Sequence, residues 1–95
     1  MSVRVQWSAE ARSDLEEIER YVSQFSYGAA DRLTDHIVSR ARKLAAFPLQ
    51  GRSVPEFGQL NFREVMVRGY RVIYQLAPDG IEVIAVFHAS RDLSS

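Results

Sequence analysis

The sequence predicts one α+β domain with the element order β-α-α-β-β-β, in which a helix hairpin packs on one face of an antiparallel C-terminal meander. Three observations predict this class. The chain has 95 residues, which suits a single core, so we expect one domain over residues 1–95. Its first half carries two stretches with apolar residues at helical spacing. Its second half carries three strand-like runs separated by short breaks.

The N-terminal half is expected to form a strand and then two helices. Residues 2–7, SVRVQW, alternate polar and apolar as a half-buried strand does, and Ser8 is a suitable N-cap. Each helix then has one apolar stripe expected to face the core. The stripes are Ala11, Leu15, Ile18, Val22 and Phe25 in the first helix, and Ala30, Leu33, Ile37, Ala41 and Leu44 in the second. Ser26 and Gly28 separate the helices, and the second ends before Pro48.

The C-terminal half begins with a long irregular segment, residues 48–61, and continues with FREVMV, YRVIYQL and IEVIAVFH. Long loops in compact domains often carry function. The sequence Pro78-Asp79-Gly80 specifies a tight turn between the last two runs, so the three runs are expected to form a meander. The last run has isoleucine or valine on both alternations, which indicates a central strand covered on both faces.

The turn at residues 78–80 leaves two registers open. Without a bulge, Arg71 and His88 share a sheet face. With a bulge at Gly80, Arg71 lies opposite Phe87, and His88 is on the other face. Pro-Asp-Gly suits a type I turn followed by a left-handed glycine, which favours the bulge. The sequence therefore predicts that Arg71 and His88 do not form a catalytic pair.

Composition restricts the function classes. The chain has no cysteine, which excludes disulfides, thiolate nucleophiles and zinc-thiolate sites. Its two histidines are far apart, with His36 expected at the helix surface, and no nucleotide-binding motif is present. We therefore expect no metal and no cofactor. No apolar run is long enough for a signal peptide or a membrane span, so a cytoplasmic protein without membrane contact is expected.

The charges are unevenly distributed along the chain. The twelve basic and twelve acidic residues balance, but acids outnumber bases in residues 1–35 and bases outnumber acids in residues 36–95. The basic part favours an anionic partner, either phosphate groups or an acidic protein surface. Both parts are equally well described as ordinary solvated faces.

Arginines are the main candidates for binding or chemistry, because their planar fork recognises phosphate and carboxylate. The candidate target or anion contacts are Arg52, Arg63, Arg71 and Arg91. A ribonuclease-like reaction could use Glu56 as base, Arg71 and Arg91 as phosphate contacts, and His88 as general acid. The alternative is that arginines alternating with apolar residues on strands simply face solvent.

Four segments together resemble the RelE/ParE superfamily of type II toxin-antitoxin toxins: SAEARSDLEEIERY, GRSVPEF, REVMVRGYRVIYQL and VFHASRDL. They cover nearly the whole chain in the order of the predicted elements. The resemblance implies a toxin that is neutralised in a hetero-oligomer by a cognate antitoxin, ParD-like or RelB-like. A third interpretation, from another class, is a non-toxic module that binds the antitoxin and helps repress their promoter.

The two toxic branches make different demands on the sequence. RelE-like members cleave mRNA on the ribosome, and Arg71 and Arg91 match their two arginines. However, the only lysine is Lys43, no tyrosine ends the chain, and the net charge is zero. ParE-like members inhibit DNA gyrase, and SAEARSDL and FHASRDL are similar to their counterparts there. The resemblance therefore favours a ParE-like gyrase inhibitor, in which His88 and Arg91 are contact or structural residues.

An apolar patch is the expected antitoxin-binding surface. Tyr21, Phe25 and Tyr27 surround the end of the first helix, and Phe57, with Val54 and Leu60, lies in the long loop. If these side chains are exposed together, they form a patch of the kind that marks protein interfaces. Burial in the core is the alternative.

Overall fold

The computed structural model describes residues 3–54 and 61–90 and confirms the predicted order of helices and strands, with one further two-residue strand in the segment that was expected to be irregular. The elements are β1 Arg4–Trp7, α1 Ala9–Ser23, α2 Tyr27–Ala46, β2 Arg52–Ser53, β3 Phe62–Val67, β4 Tyr70–Ala77 and β5 Gly80–His88. A 3-10 turn, Pro48–Gln50, follows α2. Glu56, Phe57, Leu60 and Arg91 lie outside the described residues.

The five strands form one sheet in the order β1-β5-β4-β3-β2. The C-terminal meander β3-β4-β5 is antiparallel, as predicted. β1 pairs parallel to β5 at one edge, and the two-residue β2 pairs with β3 at the other. β5 is therefore an interior strand, as its apolar pattern indicates, while β4 is at the centre of the sheet.

Two serines begin the helices. The Ser8 hydroxyl accepts the Ala11 backbone N–H at 3.0 Å, and this capping bond starts α1 as predicted. Ser26 caps α2 in the same way, accepting the Ala29 N–H at 3.1 Å. The prediction that Ser26 and Gly28 both interrupt the helices is therefore wrong for Gly28, which lies in the first turn of α2.

The main core lies between the helix hairpin and one face of the sheet. The stripes of α1 and α2 supply buried Ala11, Ile18, Ala30, Ile37, Ala41 and Leu44. Alternate residues of β3, β4 and β5 meet them from the sheet. Phe25 is the exception among the predicted core residues, because α1 ends at Ser23 and the Phe25 side chain is 74% exposed.

Polar side chains at the N-terminal end of α1 form hydrogen bonds with the edge of β5. The strand β1 pairs with β5 only as far as Val83, so the β5 backbone beyond that point has no neighbouring strand on that side. The Ser8 hydroxyl donates to the Ile84 carbonyl at 3.1 Å, and the Val86 N–H donates to the Asp14 carboxylate at 2.9 Å. Two polar side chains thus satisfy backbone groups that would otherwise be unpaired.

The register predicted for Arg71 is confirmed, but the predicted position of the bulge is wrong. Arg71 lies opposite Phe87. The pairing runs from Ala77–Gly80 to Tyr74–Val83 and resumes at Ile73–Ala85, so the extra residue is Ile84 and not Gly80. Gly80 has a different function: it pairs with Arg4 of β1, and a Cβ there would lie 1.9 Å from the Arg4 carbonyl oxygen. The glycine permits the close approach of β1.

A smaller apolar cluster covers the sheet face that points away from the helices. Val54, Ile73 and Phe87 are buried in it, and Phe62 and Ile84 pack against them. Within residues 3–54 and 61–90, no helix is long and apolar enough to cross a membrane.

Candidate functional site

Arg71 forms a buried ion pair with Glu64 on the sheet face away from the helices. Glu64 is opposite Ile73 on β4, so it is the diagonal neighbour of Arg71 on the same face. Arg71 Nε donates to Glu64 Oε1 at 2.5 Å, and its Nη2 donates to Oε2 at 3.1 Å. Glu64 is 1% exposed and Arg71 is 8% exposed.

Two further contacts hold this pair in place. The Arg71 guanidinium carbon lies 5.2 Å from the centre of the Phe87 ring, a cation–π distance. From the other side, Arg52 Nε donates to Glu64 Oε2 at 3.2 Å, while the Arg52 side chain is largely exposed. Arg71 is thus largely buried with its charge paired, which counts against the predicted role as a target or anion contact, and that role stays a prediction. Of this pair of arginines, Arg52 is the one that solvent reaches.

Arg63 supports the segment after α2. Its guanidinium donates to the Gly51 carbonyl at 2.7 Å and approaches the Leu49 carbonyl at 3.4 Å. These contacts use the side chain for internal structure, so the structure does not place it as a free anion contact.

Tyr74 also holds the segment after α2 in place, through its side-chain hydroxyl. Its hydroxyl donates to the Pro48 carbonyl at 2.6 Å and accepts the Gly51 N–H at 2.9 Å. Burial raises the pKa of Tyr74 above its ordinary value, and the Gly51 hydrogen bond opposes that shift. The neutral hydroxyl is therefore the form that holds the segment against the sheet.

His88 lies on the helix side of the sheet, at the end of β5. It borders a groove of about 570 Å³ together with Glu17, Tyr21 and Tyr70. The Tyr70 ring meets the imidazole edge-on at 5.3 Å, and the Ser90 backbone N–H donates to His88 Nδ1 at 3.1 Å. His88 is thus an exposed residue at the end of β5, and its ring is held by a hydrogen bond from Ser90 in the turn that follows.

The nuclease set is not assembled in the part of the chain that the structure describes. Arg71 and His88 lie on opposite faces of the sheet, and Glu56 and Arg91 lie outside the described residues. A phosphate contact and a general acid must reach one scissile group. The structure therefore confirms the register prediction that Arg71 and His88 do not form a catalytic pair.

The described residues of the predicted apolar patch lie in two places, and Phe57 and Leu60 are outside the described residues. Tyr21, Phe25 and Tyr27 are all exposed, and the rings of Tyr21 and Phe25 meet edge-on at 5.5 Å. Val54 is buried in the cluster on the opposite sheet face, so a patch joining it to the helix aromatics is wrong. We call Tyr21, Phe25 and Tyr27 the aromatic surface.

Sequence reasoning missed Glu64 and Asp14. Glu64 could have been identified from the sequence, because it is the one acidic residue in the run FREVMV and the next strand carries an arginine, Arg71. Asp14 had none, since its partner is the Val86 backbone N–H, 72 residues away.

Comparison with known proteins agrees with this fold. The family described as the ParE toxin of the type II toxin-antitoxin system, parDE, matches residues 5–93. The chain belongs to the ParE toxin family. Two relatives from Caulobacter vibrioides, toxin RelE2 and toxin RelE3, are each 33% identical to this ParE-family chain over 89 residues. The match covers 93% of this chain and 97% of RelE2, and 90% of this chain and 92% of RelE3.

A solved structure also matches the ParE-family fold. A chain of the chromosomal ParDE toxin-antitoxin system from P. aeruginosa superposes with a TM-score of 0.73 at 18% identity. The match covers 90% of this chain and 95% of that chain. The likeness extends across both helices and the sheet. The protein is thus a type II toxin of the ParE/RelE superfamily, and an antitoxin is its expected partner.

Proposed function

We propose that this ParE-family protein arrests growth by binding and inhibiting DNA gyrase, without catalysing a reaction of its own. The supporting observation is the Arg71–Glu64 pair, which occupies the arginine that a phosphate-cleaving site would need. Arg71 has little exposed area and its charge is balanced by a buried carboxylate. An arginine in this state stabilises the sheet and offers little to a developing phosphate charge.

The second candidate is a ribosome-dependent mRNA endonuclease. The names of the two Caulobacter relatives favour it, since both are RelE toxins with 33% identity to this chain. On this alternative, the reacting groups must include residues other than an Arg71–His88 pair.

One comparison tests the two candidates. Purified toxin is added to gyrase with relaxed plasmid, and in parallel to ribosomes programmed with an mRNA. We expect supercoiling to fall as toxin is added, and the mRNA to remain intact. Toxin mixed with excess antitoxin is the control, and it should leave supercoiling unchanged. Codon-positioned cleavage of the mRNA with normal supercoiling would refute gyrase inhibition.

Induced expression without antitoxin separates both toxic candidates from a non-toxic co-repressor. We expect growth to stop and to resume when the antitoxin is co-expressed. Normal growth at a high toxin level, verified by immunoblot, would instead support the co-repressor module.

We also propose that the aromatic surface binds the antitoxin. Three exposed aromatic side chains around the junction of α1 and α2 are costly to leave in water, and aromatic residues are the typical anchors of protein interfaces.

Phe25→Ser is expected to weaken antitoxin binding by at least about tenfold, because it removes an exposed ring that contributes nothing to the core. Leu49→Ser is the matched control, since Leu49 is similarly exposed but lies after α2. Titration calorimetry of both variants with the antitoxin gives the two affinities. Equal affinities for Phe25→Ser and the unsubstituted toxin would exclude the aromatic surface as the anchor.

A further inference from the structure

A group of basic side chains lines a small groove between α2 and the turn that joins β3 to β4. His36, Arg40 and Lys43 project from one side of α2, and Arg68 comes from the turn. The groove measures about 180 Å³, and Met66 also borders it. We call His36, Arg40, Lys43 and Arg68 the basic groove. Its dimensions suit a carboxylate or a single phosphate group.

The turn residue Arg68 has an unfavourable backbone conformation. Val67 pairs with Tyr70, so Arg68 and Gly69 form a two-residue turn, and their φ angles are 50° and 87°. Such turns strongly prefer Asn, Asp or Gly at the first of these positions, because a side chain with a Cβ is disfavoured at positive φ. Among the described residues, Arg68 is the one non-glycine with positive φ. Strained positions of this kind concentrate at functional sites.

The arginine side chain reaches across the groove to α2. Arg68 Nη2 lies 2.8 Å from His36 Nε2. A guanidinium has donors only, so the histidine nitrogen is the acceptor in this contact. This contact orients the Arg68 fork, and it leaves the positive charge without a carboxylate to balance it.

The charges of the basic groove are not compensated inside the described part of the protein. Arg40 donates to the Gln50 side-chain oxygen at 3.1 Å, which is a neutral partner. The ion pairs formed within residues 3–54 and 61–90 involve Asp79 and Glu64, and neither carboxylate borders this groove. Three permanent cations and a histidine therefore surround an open space.

We propose that the basic groove binds acidic side chains of the antitoxin. This inference rests on the presence of an antitoxin, and it is independent of the cellular target. An arginine with a pre-oriented fork is well suited to a carboxylate.

Nucleic acid fits the basic groove less well. DNA-binding proteins commonly neutralise about six to ten phosphates, whereas this groove has three permanent cations. The protein as a whole has zero net charge, so no general field draws a polyanion towards the groove. A short acidic segment needs only one or two matching charges.

Arg68→Asn provides the sharpest test. Asparagine suits the turn better than arginine, so the Tm of the isolated toxin should stay the same or rise. The affinity for the antitoxin should nevertheless fall by about tenfold, because a charge-assisted contact is lost. Arg12→Gln, on an exposed part of α1, is the control and should change affinity by less than about twofold.

An affinity of Arg68→Asn within about twofold of the unsubstituted toxin would overturn the proposal. These measurements use antitoxin binding and never gyrase, so they fail or succeed separately from the gyrase assay.

The chemistry of the bound group is tested on the isolated toxin by NMR. Hexaglutamate should shift the Arg68 side-chain N–H and the His36 ring signals, and the His36 shift should disappear in Arg68→Asn. A 20-bp duplex DNA is the comparison probe. Shifts produced by the duplex and not by hexaglutamate would assign the basic groove to nucleic acid and overturn the proposal.

Discussion

Replacing Glu64 with alanine is expected to lower the free energy of unfolding of the toxin by about 3–5 kcal/mol. The substitution removes the buried carboxylate to which the Arg71 guanidinium donates two hydrogen bonds. Removing one partner of a buried ion pair costs several kcal/mol, whereas the exposed Arg52 can turn to water when it loses the same partner. Urea unfolding of the isolated toxin measures the change.

The double substitution Glu64→Leu with Arg71→Met is the matched control. It replaces both charges with apolar side chains of similar size, and exchanges of this kind are often neutral or stabilising. We expect the double variant to recover most of the free energy of unfolding that Glu64→Ala loses. A double variant as unstable as Glu64→Ala would show that the ion pair itself stabilises the sheet and that apolar packing does not replace it.

The double variant also tests the proposed function more cleanly than Arg71→Ala alone. Arg71→Ala removes the buried partner of the Glu64 carboxylate and leaves it the exposed Arg52, so lost toxicity in that variant could come from unfolding. A folded double variant that still arrests growth would show that the Arg71 charge is not needed. A folded but harmless double variant would support a nuclease.

Gly80→Ala is expected to lower the free energy of unfolding by about 3 kcal/mol. The added Cβ would lie 1.9 Å from the Arg4 carbonyl oxygen and 2.8 Å from the Arg4 nitrogen, which are backbone atoms. Since neither can rotate away, the parallel pairing of β1 with β5 must open. Thermal unfolding and amide hydrogen exchange of residues 4–7 report the two effects.

Gly28→Ala is the control for this experiment. Its Cβ would lie 3.1 Å from the end of the flexible Arg32 side chain, which can move. Alanine in the first turn of α2 is expected to raise stability by about 0.5–1 kcal/mol. Equal destabilisation by the two substitutions would show that the contact with Arg4 is not what makes Gly80 necessary.

The helices and strands of this protein were predictable because their signals are local. Apolar spacing placed α1 and α2, and capping serines with Pro48 placed most of their ends. Phe25 had the correct spacing for the α1 stripe but lies beyond the last helical turn. Periodicity alone cannot show where a helix ends, because apolar residues can keep the helical spacing in the sequence beyond the last helical hydrogen bond.

The register of β4 and β5 was predicted correctly at Arg71, but the bulge that produces it was predicted at the wrong residue. A bulge was required to separate Arg71 from His88, and the turn sequence indicated Gly80. The bulge is at Ile84, just beyond the last β1–β5 pair, where Ser8 and Asp14 hold the backbone. The turn residues report only local preferences, while this bulge depends on β1 and α1 from the other end of the chain.

The sequence by itself determined the α+β class, the element order, the two core stripes and the superfamily. All of these follow from spacing and short-range chemistry. Only the tertiary structure decided that Glu64 neutralises Arg71, that the aromatic surface is separate from Val54, and that Arg68 meets His36. Each depends on side chains from different elements, and their distances are set by strand register and helix packing, which local patterns do not encode.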